Sequence, residues 1–197
     1  MKTIFPAVLL LSALFMISAC KDDKDSTPTI KGILKAETDT LTHAPMYYFP
    51  YTETELGYEF TPLTDGTITH LGTKTETAGQ FRVRIYVNGW SASSIMNVIA
   101  EQVIAVTAAD KLVYEPIDDL QVKKDTKYVI TVHLPPNSYF KRMATTFPHQ
   151  VGGISITRFA GAAYSTVNPT QYFIGEDSQA NPAPYLEGIP DFVFVKK

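Results

Sequence analysis

The chain of 197 residues holds one cysteine and one tryptophan. A single thiol rules out an internal disulfide, and it rules out the zinc sites built from several cysteines. Four histidines, His43, His70, His133 and His149, lie far apart, and none pairs with another at a spacing of two or four. The sequence therefore calls for no metal or other cofactor. Charged residues are few, at 19%, and the formal charge is −3. No run of Lys and Arg is long enough to grip a phosphate backbone, so nucleic acid is not an expected partner. Long apolar runs are also missing. The longest, from Ile4 to Ile17, falls short of the roughly 20 residues that a spanning helix needs.

Aromatic and turn-forming residues are plentiful. There are 11 Tyr, 11 Phe, 13 Pro and 11 Gly. Rings suit pleated, half-buried surfaces, and prolines this frequent cut a chain into segments too short for a helical bundle.

The first residues, "MKTIFPAVLLLSALFMISAC", have a basic start, a short apolar middle and small residues at the end. That pattern reads as a secretory signal over residues 1–19. "ISAC" resembles the bacterial lipobox, an aliphatic residue and two small ones before a cysteine. The resemblance implies that the sulfur of Cys20 takes a diacylglyceryl group and that the chain is cut before it. The partner is then membrane lipid, held through acylated Cys20. One acyl chain binds marginally, at about 0.8 kcal/mol per buried CH₂, whereas two or more hold stably.

Residues 20–32 follow as a polar tether without apolar period. Its acidic patch, Lys21, Asp22, Asp23 and Asp25, resembles the surface-export signal of Bacteroidetes lipoproteins. That likeness implies a lipid anchor in the outer membrane, facing the cell surface. Without an export signal the protein would face the periplasm.

From residue 33 to 197 the expectation is one all-β domain. "QFRVRIYV" places Phe81, Val83, Ile85 and Val87 on one face and Gln80, Arg82, Arg84 and Tyr86 on the other. "KYVITVHL" sets Tyr128, Ile130 and Val132 against Val129, Thr131 and His133, and Pro135-Pro136 ends it. Asn88-Gly89 signals a hairpin turn. "TITHLG", "GISITRF" and "DFVFVKK" read as further strands, the last with Phe192 and Phe194 on one face. "SSIMNVIAEQVIAV" fits either a helical face or a strand buried around Val98 to Val106. Its β-branched residues favour the strand. Short strands without a βαβ rhythm predict an antiparallel β-sandwich, with a jelly roll as the expected variant.

Residues 56–132 resemble an uncharacterised bacterial extracytoplasmic domain of unknown function. The likeness rests on "LGYEFTPLTDGTITHLG", "VRIYVNG" and "LVYEPIDDLQVKKDTKYVITV", the last with "VYEP" in place of a Gly-Trp pair. It implies a β-sandwich and carries over no catalytic residue.

Chemistry is sparse. There is no Gly-x-Ser-x-Gly and no Gly-Lys-Ser/Thr phosphate loop after Gly152-Gly153. Asp118 and Asp119 would face opposite ways on a strand. Glu53 and Glu55 would share a face, expected to be a solvated edge. Glu176 and Asp177 read as a turn. Aromatic loops remain. Trp90 after the Asn88-Gly89 turn, and Tyr139 beyond Pro135-Pro136, are the candidate ligand contacts, since such rings stack on the apolar face of a sugar. The chain thus reads as a non-enzymatic, lipid-anchored binding module, for which carbohydrate is the expected ligand. The alternative is an adhesin or assembly subunit joined to another envelope protein through its last strand, Phe192 to Val195.

Mass spectrometry of protein from a bacterial host will find Cys20 at the amino terminus, carrying acyl chains. A Cys20→Ala variant will keep its leader and lose the lipid. An unmodified thiol on an uncleaved leader would refute the anchor.

Overall fold

The computed structural model describes residues 30–38, 46–49, 53–87, 97–165, 168–174 and 185–197. Cys20, the acidic patch Lys21, Asp22, Asp23 and Asp25, the Asn88-Gly89 turn, Trp90, Glu176 and Asp177 lie outside the described residues.

The chain is an antiparallel all-β sandwich. One short helix, α1 (Lys35–Thr38), precedes the strands. They are β1 (Met46–Phe49), β2 (Thr54–Pro62), β3 (Gly66–Lys74), β4 (Gly79–Val87), β5 (Asn97–Val106), β6 (Leu112–Val122) and β7 (Tyr128–Leu134). Next come β8 (Ser138–Ala144), β9 (His149–Val151), β10 (Ile154–Ser165), β11 (Asn168–Ile174), β12 (Tyr185–Glu187) and β13 (Pro190–Lys196). One layer is a seven-stranded sheet in the order β11-β10-β2-β7-β4-β5, with β9 also on β10. The facing layer consists of two three-stranded sheets, β1-β8-β12 and β13-β3-β6.

A single stretch of chain serves both small sheets. Between β12 and β13 stand only Gly188 and Ile189, both at positive φ. Glycine adopts that conformation without steric cost, which lets the strand turn from one sheet into the other. The two glycines before β10 have a similar role, since Gly152 and Gly153 form the tight β9–β10 turn at φ 59° and 92°.

The period-2 patterns place the core. Leu56, Tyr58 and Phe60 of β2 meet Val83 and Ile85 of β4 and Ile130 and Val132 of β7. From the facing layer come Ile68 and Leu71 of β3, Phe140 and Met143 of β8, Leu186 of β12 and Phe192 of β13. The Phe60 ring lies 4.7 Å from that of Phe192 and 5.5 Å from that of Tyr128, so the two layers close on aromatic contacts.

Two expectations need correction. The segment around Val98–Val106 is a strand but not a buried one. β5 lies at the end of the large sheet, and Val98 and Val103 are 47% and 45% exposed, while Ile104 and Val106 turn inward. A run of β-branched residues carries no mark of whether one face or both will be covered. Glu55, expected on a solvated edge, is completely buried.

At the other end of the domain, residues 32–38 form a strap over β13. The Ile33 N–H donates to the Phe192 carbonyl at 3.0 Å. The buried carboxylate of Asp191 accepts from the N–H of Leu34 at 3.1 Å, the N–H of Phe192 at 2.8 Å and the hydroxyl of Tyr114. Any Cβ at Gly32 would overlap that hydroxyl and that carboxylate, which is why glycine stands there. Lys74 holds the far end of the strap, donating to the Thr38 carbonyl at 2.9 Å while pairing with Asp110 at 3.1 Å.

Asp191→Ala strands the buried donors around it and will cost about 3 kcal/mol, read as a lowered urea midpoint. Amide exchange at Leu34 will quicken with it. An unchanged midpoint would show that the carboxylate does not hold the strap.

Candidate functional site

The outward side of the seven-stranded sheet carries a set of charged and polar side chains that hydrogen-bond across its strands. Alternation puts them there. Residues directly opposite in an antiparallel ladder share a face. Arg84 of β4 stands between Thr131 of β7 and Glu101 of β5. His133 stands between Arg82 of β4 and Glu55 of β2. Tyr86 is opposite Val129, which is opposite Glu59 in turn.

Glu55 is the centre of this set. Its carboxylate accepts from Arg84 Nη1 at 2.9 Å, from the Tyr86 hydroxyl at 2.7 Å and from the Thr131 hydroxyl at 2.8 Å. Arg84 Nε donates to Glu101 at 2.6 Å, and Arg82 approaches the other Glu101 oxygen at 3.6 Å. One guanidinium therefore joins two carboxylates, and the belt crosses four strands, β2, β7, β4 and β5. Burial opposes the charge on Arg84. The hydrogen bond to Glu101 and the fields of Tyr86 and Glu55 outweigh it, and its pKa lies above the ordinary arginine value. A raised pKa favours the charged form below it, so this stabilisation is complete across the neutral range and fades only far into alkali.

Glu59, two turns of the pleat further along β2, repeats the arrangement. It is buried, and it accepts from the Thr157 hydroxyl at 2.6 Å and from Arg158 Nη2 at 2.8 Å, with Lys127 3.9 Å away. Tyr86, Val129 and Ala160 make a small apolar cluster on this side of the sheet. At the rim, His133 Nε2 lies 3.3 Å from the exposed carboxylate of Glu53.

Charges on this face cancel. Glu53, Glu55, Glu59 and Glu101 are matched by Arg82, Arg84, Arg158 and Lys127. The arrangement holds donors and acceptors in fixed positions without a net field.

Of the residues singled out from sequence, Tyr139 lies on β8 and is 46% exposed, while its neighbour Phe140 turns into the core. In the ladder with β1, Tyr139 is opposite Tyr48 and Phe140 is opposite Tyr47. Asp118 and Asp119 are both exposed on β6, where its register against β3 is irregular. Among the described residues no three His, Cys, Asp or Glu side chains are placed to hold a metal ion. No helix among them is long and apolar enough to cross a membrane.

Sequence reading missed the Glu55–Arg84 belt. One signal was available. "TELGYEFTP" carries two glutamates four apart on the face opposite Leu56, Tyr58 and Phe60, and "FRVRIY" carries two arginines and a tyrosine in the same phase.

These features define the chain as an all-β sandwich with a charge-balanced polar face. Compared with known proteins, it matches no family model and no curated protein.

Replacing Glu55 by Leu leaves Arg84 with half its compensation. We expect a loss of roughly 3 kcal/mol in chemical denaturation. The pair Glu55→Leu with Arg84→Met will recover most of it, because both charges then leave together. If the double variant is as unstable as the sum of the singles, the ion pair is not what holds the belt.

Proposed function

We propose that the protein is a lipid-anchored binding module of the bacterial cell envelope, and that its ligand is carbohydrate. The observation that carries the ligand reading is the pairing of Tyr139 with Tyr48 across the β1–β8 ladder, with the Tyr139 ring 46% exposed. An exposed tyrosine offers an apolar plane and a polar tip, the two features that a sugar ring presents in complement. The charge balance of the large sheet's outer face agrees with an uncharged ligand, since a phosphate or polyanion binder would carry an excess of Arg and Lys. The anchor rests on "ISAC" and on Cys20 within it. The acidic residues behind Cys20 favour the outward side of the outer membrane. Trp90 belongs to the same proposal as a second contact.

The alternative, an adhesin or assembly subunit that pairs through Phe192 to Val195, has less support. The Phe192 carbonyl is already engaged by Ile33, so part of that edge is taken by the chain itself.

A glycan array probed with the purified lipoprotein in mild detergent tests the proposal. At least one uncharged glycan will bind, and Tyr139→Ala will weaken it roughly tenfold, equivalent to about 1.4 kcal/mol. An array without a binder, or binding indifferent to both Tyr139→Ala and Trp90→Ala, would overturn it.

A further inference from the structure

The sequence holds no long run of Lys and Arg, yet the fold gathers lysines from separate segments at one end of the sandwich. Three turns meet there with residues 195–197. The Asp125 N–H donates to the Pro62 carbonyl at 3.0 Å, which sets the β6–β7 turn beside the β2–β3 turn. The Leu63 N–H donates to the Gly153 carbonyl at 2.9 Å, which brings in the β9–β10 turn. The Lys197 N–H donates to the Asp65 carbonyl at 3.1 Å, and the Lys196 side chain lies over Gly153, where any Cβ would overlap it.

Lys123, Lys124, Lys127, Lys196 and Lys197 all stand exposed at this end. The exposed carboxylates among the same segments are those of Asp65 and Asp125. Lys127 is 3.9 Å from Glu59, but Arg158 already neutralises that buried glutamate. The Lys124 N–H, with the fields of Lys123 and Lys197, holds the Asp65 carboxyl below its ordinary pKa, so it is ionised and still outnumbered. Five ammonium groups therefore face two carboxylates, in a chain whose formal charge is −3. A carboxylate at the chain's end would leave the excess positive. Leu63 and Val195, 37% and 52% exposed, belong to the same segments.

The tether arrives from this end. Ile33 is bonded to Phe192 and lies beside Gly152 of the β9–β10 turn, Leu34 is bonded to Asp191, and the Thr38 carbonyl is held by Lys74. Phe192 is opposite Leu71, Asp191 is opposite Gly72, and Lys74 ends β3. The strap thus runs away from Gly66, which is opposite Lys196. Ile30 and Lys31, just before it, are exposed.

We infer that this lysine-bearing end is a docking surface for an anionic lipid bilayer. The inference rests on the lipid-anchor reading for the nearness of the bilayer, and the lysines then decide which end of the domain faces it. Each lysine near an anionic surface strengthens binding roughly fivefold. Exposed apolar side chains such as Leu63 and Val195 suit the boundary between headgroups and acyl chains. The tether's own acidic patch is a poor substitute, because Lys21 and Lys24 offset two of Asp22, Asp23 and Asp25. Docked in this way, β7 runs its seven residues from the bilayer to the far end, roughly 20 Å away. Tyr139, just past the turn that follows β7, is then free to meet a ligand.

The test places the full lipoprotein on two kinds of vesicle, phosphatidylcholine alone and phosphatidylcholine with phosphatidylglycerol. Lysine acetylation is read by mass spectrometry, and the intact mass of the same sample reports the acyl chains. On anionic vesicles the five lysines will react at least roughly fivefold more slowly than on neutral ones. Lys111, in the turn before β6 at the opposite end, will react equally on both. About 1 M salt, with a Debye length of about 3 Å, will abolish the difference. Lys123→Gln with Lys124→Gln will weaken docking on the order of 25-fold and restore the reactivity of Lys196 and Lys197. The melt will not change, because both side chains are exposed. Should that variant lose its melt, the vesicle comparison on the parent chain decides. Acylated protein that reacts equally on the two vesicles overturns the inference and leaves the anchor standing. An unmodified Cys20 with the five lysines still protected on anionic vesicles alone overturns the anchor and leaves the docking surface. Equal slowing of Lys111, or protection that survives high salt, would overturn the inference. So would protection in intact cells without protection on anionic vesicles, which would assign the surface to an acidic protein.

Discussion

A carboxylate cannot enter a protein interior without donors to meet it, and Glu55 sets that condition on the large sheet. Its donors come from β4 and β7, and through Arg84 the requirement extends to Glu101 on β5. Slipping any of these strands by one residue would turn the donors to the other face and leave the charge stranded. Apolar alternation alone forbids a slip by one residue but leaves the phase unchanged on a slip by two. A buried ion pair with two hydroxyl donors tolerates one. The belt is therefore best understood as a device for specificity of register, with net stabilisation a secondary matter, since desolvation offsets much of the attraction between buried charges.

The same logic recurs at Asp191. There a buried carboxylate gathers backbone donors from two segments far apart in sequence and a hydroxyl from a third. It fastens residues 32–38 to the last strand, and Gly32 lies against the hydrogen-bonded Tyr114 hydroxyl and Asp191 carboxylate, where a Cβ would overlap both. The two carboxylates act at different places, one within the large sheet and one between the strap and the facing layer.

Alternation carried most of the fold. In β4 and β7 the apolar phase read from sequence is the phase that faces the core, from Phe81, Val83 and Ile85 to Tyr128, Ile130 and Val132. Pro135-Pro136 ends β7, with Asn137 at positive φ in the turn to β8. Polar positions were harder. Glu55 sits among residues that resemble a solvated edge, and nothing within its own strand distinguishes a glutamate facing water from one facing an arginine two strands away. Val98 and Val103 mislead in the opposite sense, since β-branched residues favour a strand whether or not both its faces are covered.

Sequence by itself determined which segments are extended, which of their faces are apolar and where turns interrupt them, because those follow from steric preferences and a period of two along one stretch of chain. Only the tertiary structure decided which strands are neighbours, and with that which charges meet. Arg84, Glu55 and Glu101 come from three separate strands, and the energy of a charge depends on what lies within a few ångströms in space. Strand order also put β5 at the end of the large sheet and placed the strap on β13.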